Sequence, residues 1–406
     1  MDINASIILA QVKAAANRTH SPGGVPTSLA DLGYATVGID AGWAACGKGV
    51  NGSYHDSDGN PIIDTSRFPD MRGLVHLAST LYNISMGWYM NCCGCEAEHA
   101  LSKPHYMEDA RATAALGFVS LKVDGCGNEP NITAWAQGLN STGQGIVLEN
   151  CNDDDPFRPV RLPDGSVNCP YNLFRTSIDQ APSFTSTMWN LWETVPFLAL
   201  GAPGCFPYPD MLTVGTPAWT RDCGQGHGCY PNAGCGGVRL SFAAARAQFA
   251  AVAVVSSPLT LGYDISNRTE YDMWWPIVSH REVLEINSAW AGEVGRLLAH
   301  SPRNYTGPVP HGAACEVIQN HTMPVWLALG KLLANRAFAA VIVNGGFEGA
   351  IDAEISITSM GYKKDEILSV REVWSGQSLG VIKDGVWHVH QLPAETDLFV
   401  VFTPVA

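Results

Sequence analysis

From about residue 5 to residue 300 the chain alternates two hydrophobic rhythms. Short runs rich in β-branched and aromatic residues are ATVGID, SMGWYMN, FVSLKVD, GIVLEN, LFRTSID, a short piece near CFPYPDML, and PLTLGYD. Helix-length stretches at 71–82, 106–116, 131–139, 183–198 and 241–256 lie between them. The opening MDINASIILAQVKAAANR reads as one more amphipathic helix. This alternation predicts a parallel sheet built from βαβ units, with the strand count one short of a (β/α)8 barrel. The apolar run FAAARAQFAAVAVV is interrupted by Arg246 and is shorter than the roughly 18–20 residues of a membrane span, so it is expected to face a core.

The proline-bearing stretch SPRNYTGPVPHG, residues 301–312, changes the rhythm. After it come PVWLALG, FAAVIVNGG, AEISITSMG, ILSVREVWSG, VWHVHQ and LFVVFTPV, short β-rich runs broken by turn residues. They predict an antiparallel β-sandwich of about a hundred residues. The expected organisation is an α/β barrel over 1–302 followed by a sandwich over 303–406.

Composition narrows the partners. The 406 residues are 46% hydrophobic and 15% charged, an ordinary globular balance, and the formal net charge is −14. Such a surface repels a phosphate backbone, so no nucleic-acid partner is expected, and a neutral sugar is compatible with it. Twelve cysteines accompany nine Asn-X-Ser/Thr sequons, at Asn4, Asn17, Asn51, Asn83, Asn131, Asn140, Asn267, Asn304 and Asn320. Together they point to an oxidising secretory, endomembrane or lysosome-like compartment. The first residues lack the basic and apolar regions of a signal peptide, so the chain is expected to begin part-way into a longer secreted protein.

Three predicted strands finish on an aspartate, Asp40 in VGID, Asp124 in LKVD and Asp179 in RTSID, and Asp210 closes PYPDM. A single Asp-Gly, as in SLKVDGC, most often opens a turn. Four carboxylates on successive units of one pattern are harder to read that way, because barrel strand ends converge on one mouth. Lys122 and Arg175, two and four residues before Asp124 and Asp179, would offset the crowded negative charge. Paired carboxylates in different environments suit glycoside hydrolysis, one ionised to attack and one protonated to assist departure. Trp43, Trp88 and Tyr89, near other strand ends, would offer faces for a sugar ring.

An ordered set of motifs then becomes recognisable: LGYATVGIDAGW, DTSRFPDMRGLVHLA, MGWYMNCC, LKVDGC, LFRTSID, YPDMLTVG and SFAAARAQFAAVAVVSSPLTLGYDI. Across nearly its whole length the chain resembles glycoside hydrolase family 27, the α-galactosidase and α-N-acetylgalactosaminidase family. The resemblance implies a (β/α)8 barrel, here without its first strand, followed by an antiparallel β-sandwich. It makes Asp124 the nucleophile and Asp179 the general acid/base of a retaining double displacement, with a carboxyl spacing of about 5–6 Å. It makes Asp40, Tyr89, Lys122, Arg175 and Asp210 contacts to the glycone, and places Asn152 and Met211 in the same pocket. Gly125 would let the backbone turn away after the nucleophile. The resemblance also suggests that Cys126 pairs with Cys92, Cys93 or Cys95, with Cys95 preferred, and that Cys151 pairs with Cys169.

The chain departs from the family pattern in places. Ala41 stands where a second aspartate usually follows Asp40, Tyr208 replaces the first aspartate of Asp-Pro-Asp, and EINSAW (285–290) stands where Ile-Asn-Gln-Asp is common. The insertion CGQGHGCYPNAGC (223–235) is open between disulfides and a zinc site through Cys223, His227, Cys229 and Cys235, with disulfides favoured by the compartment. His105, His280, His311, His388 and His390 are expected to be structural or surface residues. No cofactor or metal is implied. The expected activity is release of terminal α-D-galactose from an oligosaccharide or glycoconjugate, with no nucleic acid or membrane involved, and with a homodimer in keeping with the family. Ala41 and Asn152 keep open a shifted specificity, for an α-N-acetylgalactosaminide, a β-L-arabinopyranoside or an α-glucan. A non-catalytic sugar-binding protein is the third reading.

Overall fold

A computed structural model describes residues 3–92, 95, 105–127, 131–151, 158–217, 239–312 and 317–405, with the backbone alone at 92, 126 and 127. The chain divides into two compact units, Met1–Phe174 with Ile265–Arg268, and Arg175–Asp264 with Thr269–Ala406.

The first unit is a run of βα units. Its helices are α1 (Ala5–Ala16), α2 (Met71–Tyr82), α3 (Tyr106–Leu116) and α4 (Ile132–Ser141). Their ends carry local signals. The Asn4 side chain accepts the amides of Ser6 and Ile7, Asp70 accepts that of Gly73, and Asn131 accepts that of Ala134. Helix α3 closes on Gly117 at φ 90°, a left-handed position that only glycine adopts cheaply. The strands are β1 (Thr36–Gly38), β2 (Ser85–Cys92), β3 (Ser120–Gly127), β4 (Val147–Cys151) and β5 (Leu173–Arg175), parallel and adjacent in chain order through Phe174. One side of β2–β4 is packed: Trp88, Met90, Leu121, Val123 and Leu148 are all buried, with the buried Asn150 opposite Val123. Alternation therefore turns the intervening residues to the opposite side.

The second unit holds β6 (Phe206–Tyr208), α5 (Phe184–Thr194), which runs on into a 3₁₀ turn at Val195–Leu200, α6 (Phe242–Val254), nearly all of α7 (Arg268–Val278) and α8 (Arg281–Ser288). Helix α6 is alanine-rich and buried on nearly all sides, as the absence of a polar stripe requires. Its Arg246 bonds the buried Asp397 at 3.0 Å. The antiparallel part comprises β7 (Arg296–His300), β8 (Asn304–His311), β9 (Val317–Pro324), β10 (Trp326–Leu332), β11 (Phe338–Asn344), β12 (Ile351–Ser356), β13 (Leu368–Glu372), β14 (Ser378–Ile382), β15 (Val386–Leu392) and β16 (Asp397–Pro404). One sheet has the order β14-β13-β16-β11-β10-β7 and faces the β12–β15 pair across a core that includes Trp326, Phe338, Trp387 and Phe402. The fully buried Lys331 of β10 donates to the Ser256 hydroxyl and to the carbonyls of Ile286 and Asn287, supplying the end of α8 with a cation. Burial lowers its pKa to about 8.

Three differences from the sequence reading stand out. PLTLGYD makes no regular strand, only an isolated parallel bridge between Leu212 and Leu261; Pro258 lacks an amide donor and Gly262 weakens the ladder. The proline-bearing stretch is itself strand β8, in a long hairpin with β9 running from Asn304 opposite Pro324 to His311 opposite Val317. Prolines 308 and 310 are tolerated there because β9 is the one ladder partner of β8, whose other edge meets only an isolated bridge from His311 to Gln180. Ahead of it, β7 pairs with β10 in the sandwich sheet, before residue 302.

Candidate active site

In the first unit the polar side of β2–β4 forms two rungs. Register places Tyr89, Lys122 and Glu149 side by side, and Asn91, Asp124 and Cys151 one step further on. The Tyr89 hydroxyl donates to Asp124 Oδ2 at 2.7 Å, and Asn91 Nδ2 donates to that hydroxyl at 3.3 Å. Burial, and then the Asp124 charge, raise the Tyr89 phenol well above its ordinary range, so it stays a donor. Lys122 Nζ donates to Asp40 Oδ2 at 2.9 Å and stands 5.7 Å from the Tyr89 ring centre. Burial favours the neutral amine, but the Cys151 sulfur and the carboxylates of Asp40, Glu149 and Asp124 outweigh it and raise the Lys122 pKa well above normal. The cation is therefore permanent, and it offsets the carboxylates around it. Asp40 Oδ1 accepts the amide of Ala41 at 2.7 Å.

The strand does not stop at Asp124. Register runs from Asn91 opposite Asp124 to Cys92 opposite Gly127, so Gly125 and Cys126 bulge out. Gly125 has no left-handed φ; its amide donates to Asp124 Oδ1 at 2.9 Å. The bulge, rather than a glycine turn, ends regular pairing beside the carboxylate.

In the second unit, Arg175 forms an ion pair with Asp179, whose side chain is 67% exposed. The segment between them is tied at every residue. Thr176 N donates to Tyr208 O at 3.0 Å, the Ser177 hydroxyl donates to Pro209 O, and Asn190 Nδ2 donates to Ile178 O at 2.9 Å. Gly312 N donates to Asp179 O at 2.9 Å, and Gln180 N to Asp210 Oδ2 at 2.7 Å. Asp210 Oδ1 accepts the Met211 amide at 2.7 Å. Both Asp210 oxygens thus brace backbone, a role the motif reading does not contain. Met211 is exposed next to it.

Some expectations are corrected. Trp43 and Trp88 are each 1% exposed, packed ring against ring at 4.4 Å, and Trp43 Nε1 donates to Tyr89 O. They are core residues and present no face to a sugar. Cys95 bonds Cys46, not Cys126, with Cα atoms 5.3 Å apart, which joins the loop after β1 to the one after β2. Cys151 is a buried thiol, whereas Cys169 is in a disulfide, so those two do not pair. Cys151 occupies a strand position beside Asp124, which accounts for its distance from the loop chemistry. Asn152, and Cys223, His227, Cys229 and Cys235, lie outside the described residues. Among the described residues no three His, Cys, Asp or Glu side chains gather as a metal site, and no helix is long and apolar enough to cross a membrane.

The comparisons with known proteins bear on both units. No family model matches the sequence. The chain is 27% identical over 301 residues to α-galactosidase 3 of Arabidopsis thaliana, covering 70% of this chain and 60% of that protein. It is 24% identical over 412 residues to a probable α-galactosidase of Dictyostelium discoideum, covering 99% and 89%. The chain is a relative of the family 27 glycoside hydrolases. The solved α-galactosidase of Saccharomyces cerevisiae superposes with a TM-score of 0.73 at 17% identity, covering 100% of this chain and 95% of that one. This likeness shows the fold of the family 27 relative, a (β/α) barrel followed by an antiparallel β-sandwich.

Proposed function

We propose that the protein is a retaining exo-glycosidase that releases terminal α-D-galactose. The observation that carries the reading is the Tyr89–Asp124 hydrogen bond on a lysine-balanced polar rung, in a chain whose relatives are named α-galactosidases. Asp124, held by the Tyr89 hydroxyl and the Gly125 amide, attacks the anomeric carbon and forms a glycosyl ester as the aglycone oxygen departs. Asp179 gives that oxygen a proton, then takes one from the water that cleaves the ester, restoring both carboxyl groups. Arg175, paired with Asp179, holds that carboxyl in place between the two proton transfers. In this reading Lys122 and Asp40 bind glycone hydroxyls, supported by the bond between them.

Hydrolysis of p-nitrophenyl α-D-galactopyranoside by the chain made in a secretory host, beside its Asp124→Asn variant, tests this. Turnover that disappears in the variant is the expected result; equal turnover in both overturns the assignment of Asp124. Ala41 favours one second reading, a shifted glycone. Faster hydrolysis of the matching α-N-acetylgalactosaminide or β-L-arabinopyranoside would establish it. Passage through a secretory compartment is supported by the Cys46–Cys95 disulfide and by eight of the nine sequon asparagines being exposed, with Asn4 half-buried. A homodimer is a separate proposal, tested by the mass in solution.

A further inference from the structure

The hairpin β8–β9 has no part in the roles assigned so far, yet it ends against the residue assigned as acid/base. Gly312 N donates to the carbonyl of Asp179 at 2.9 Å, and His311 and Gln180 form an antiparallel bridge. The chain thereby gives the Asp179–Gln180 segment a strand partner taken from a distant part of the sequence. Inside the hairpin His311, 3% exposed, lies with Nε2 2.9 Å from Nε2 of His321. One ring must donate and the other accept, so at least one imidazole is neutral. Burial, and then His321, push His311 down to about 4, which keeps it neutral over the ordinary working range. The His321 ring stacks on Trp189 at 3.9 Å and 25°. Trp189 precedes Asn190 in α5, and Asn190 holds Ile178 O. Two routes therefore converge on the segment that presents Asp179, one through Gly312 and one through α5, and His321 touches both.

We propose that His311 and His321 are positioning residues for Asp179: their hydrogen bond locks the hairpin so that its end fixes the backbone from which the acid/base carboxyl projects. The proposal rests on the reading of Asp179 as acid/base. A hairpin that only stabilises the fold would affect every substrate alike. One that positions the acid matters most when the leaving group needs a proton.

The test compares His321→Phe, which keeps a ring on Trp189 and loses the bond to His311, with His321→Gln, which keeps a hydrogen-bonding side chain. kcat/KM is measured on methyl α-D-galactopyranoside, a poor leaving group, and on 2,4-dinitrophenyl α-D-galactopyranoside, a good one. General acid catalysis is worth about 10²–10⁴-fold. His321→Phe is expected to lose roughly 10- to 100-fold on the methyl glycoside, less than the full effect because the acid is displaced rather than removed, and less than about 3-fold on the dinitrophenyl one. His321→Gln should recover most of the loss. Equal losses on both substrates, or none on either, overturn the proposal. Amide hydrogen exchange over residues 176–180 reads the same positioning without substrate: faster exchange in His321→Phe is expected, and unchanged exchange overturns the proposal whatever the activity. Failure of the underlying reading looks different. Asp179→Asn with undiminished turnover on the methyl glycoside removes Asp179 as the acid, while the exchange measurement still judges the hairpin.

Discussion

At Asp124 the carboxylate itself is held, by the Tyr89 hydroxyl that Asn91 in turn donates to and by the Gly125 amide, on strands whose other face is packed. At Asp179 the backbone of the segment is held instead: β6 and the residue after it, α5, Asp210 and the hairpin each hold one residue, while the exposed carboxyl pairs with Arg175. The difference suits the assigned tasks. A nucleophile benefits from a fixed direction, which donors to its carboxylate supply. An acid/base must change protonation twice per turnover, so its carriage is best fixed through backbone, with the carboxyl left exposed beside Arg175.

Perturbations of each region sharpen or break that contrast. The largest stability effect belongs to the first unit. Removing the Cys46–Cys95 bond, which closes 49 residues, should cost up to about 4 kcal/mol of unfolding free energy. In urea titrations the midpoint of Cys46→Ser should fall, with the activity of the folded fraction preserved. Tyr89→Phe removes a charge-assisted bond worth about 1.5–3 kcal/mol. It should lower kcat by roughly 10- to 150-fold with a small change in melting temperature; a loss of stability without loss of rate would break the contrast. Asp210→Ala leaves the Gln180 amide without its acceptor, at about 1–3 kcal/mol. There the melting temperature and the rate on poor leaving groups should fall together.

The smallest effect is one of pH. His311 titrates near 4 in the fold and near 6.5 when unfolded, so the unfolded chain binds more protons between those values. Its contribution is present above about 6.5 and is lost as pH falls through about 4. Asp109, buried against His55 in the other unit, has the opposite sign. Burial raises it to about 6, so its contribution is present below the ordinary carboxylate range and is lost as pH rises through about 6. Thermal unfolding at pH 7 and pH 5 should show a steeper acid loss in Asp109→Asn than in the wild type, and a shallower one in His311→Asn.

Strands and helices with a clear period were legible in the sequence. Met71–Tyr82 and Tyr106–Leu116 have the expected bounds, because caps such as Asp70 and Gly117 are local signals. Asp40 and Asp210 fall two residues past short strands, whereas Asp124 lies within β3 ahead of its bulge and Asp179 four residues after β5. Helices α7 and α8 were not, since Pro276 and the Trp274–Trp275 pair blur the period of α7 and α8 has only eight residues. What depends on distant pairing stayed hidden. Asn91 and Glu149 gain their places from register with Asp124 and Lys122, and His311 from a hairpin that carries it to Asp179. The tryptophans mislead because an aromatic near a strand end is equally at home in the core, as Trp43 and Trp88 are. Cysteine spacing likewise leaves connectivity undetermined.

The two-rung arrangement of β2–β4 makes the address of Asp124 a matter of parity. Replacing Val123 by another apolar residue alters packing but keeps Asp124 on the polar side. Deleting one residue between Ser120 and Asp124 brings the carboxylate to the opposite side, level with Met90 and Asn150, and takes it away from Tyr89. From Ser120 to Asp124 the gene should therefore tolerate apolar exchanges at Leu121 and Val123 and almost no change of length.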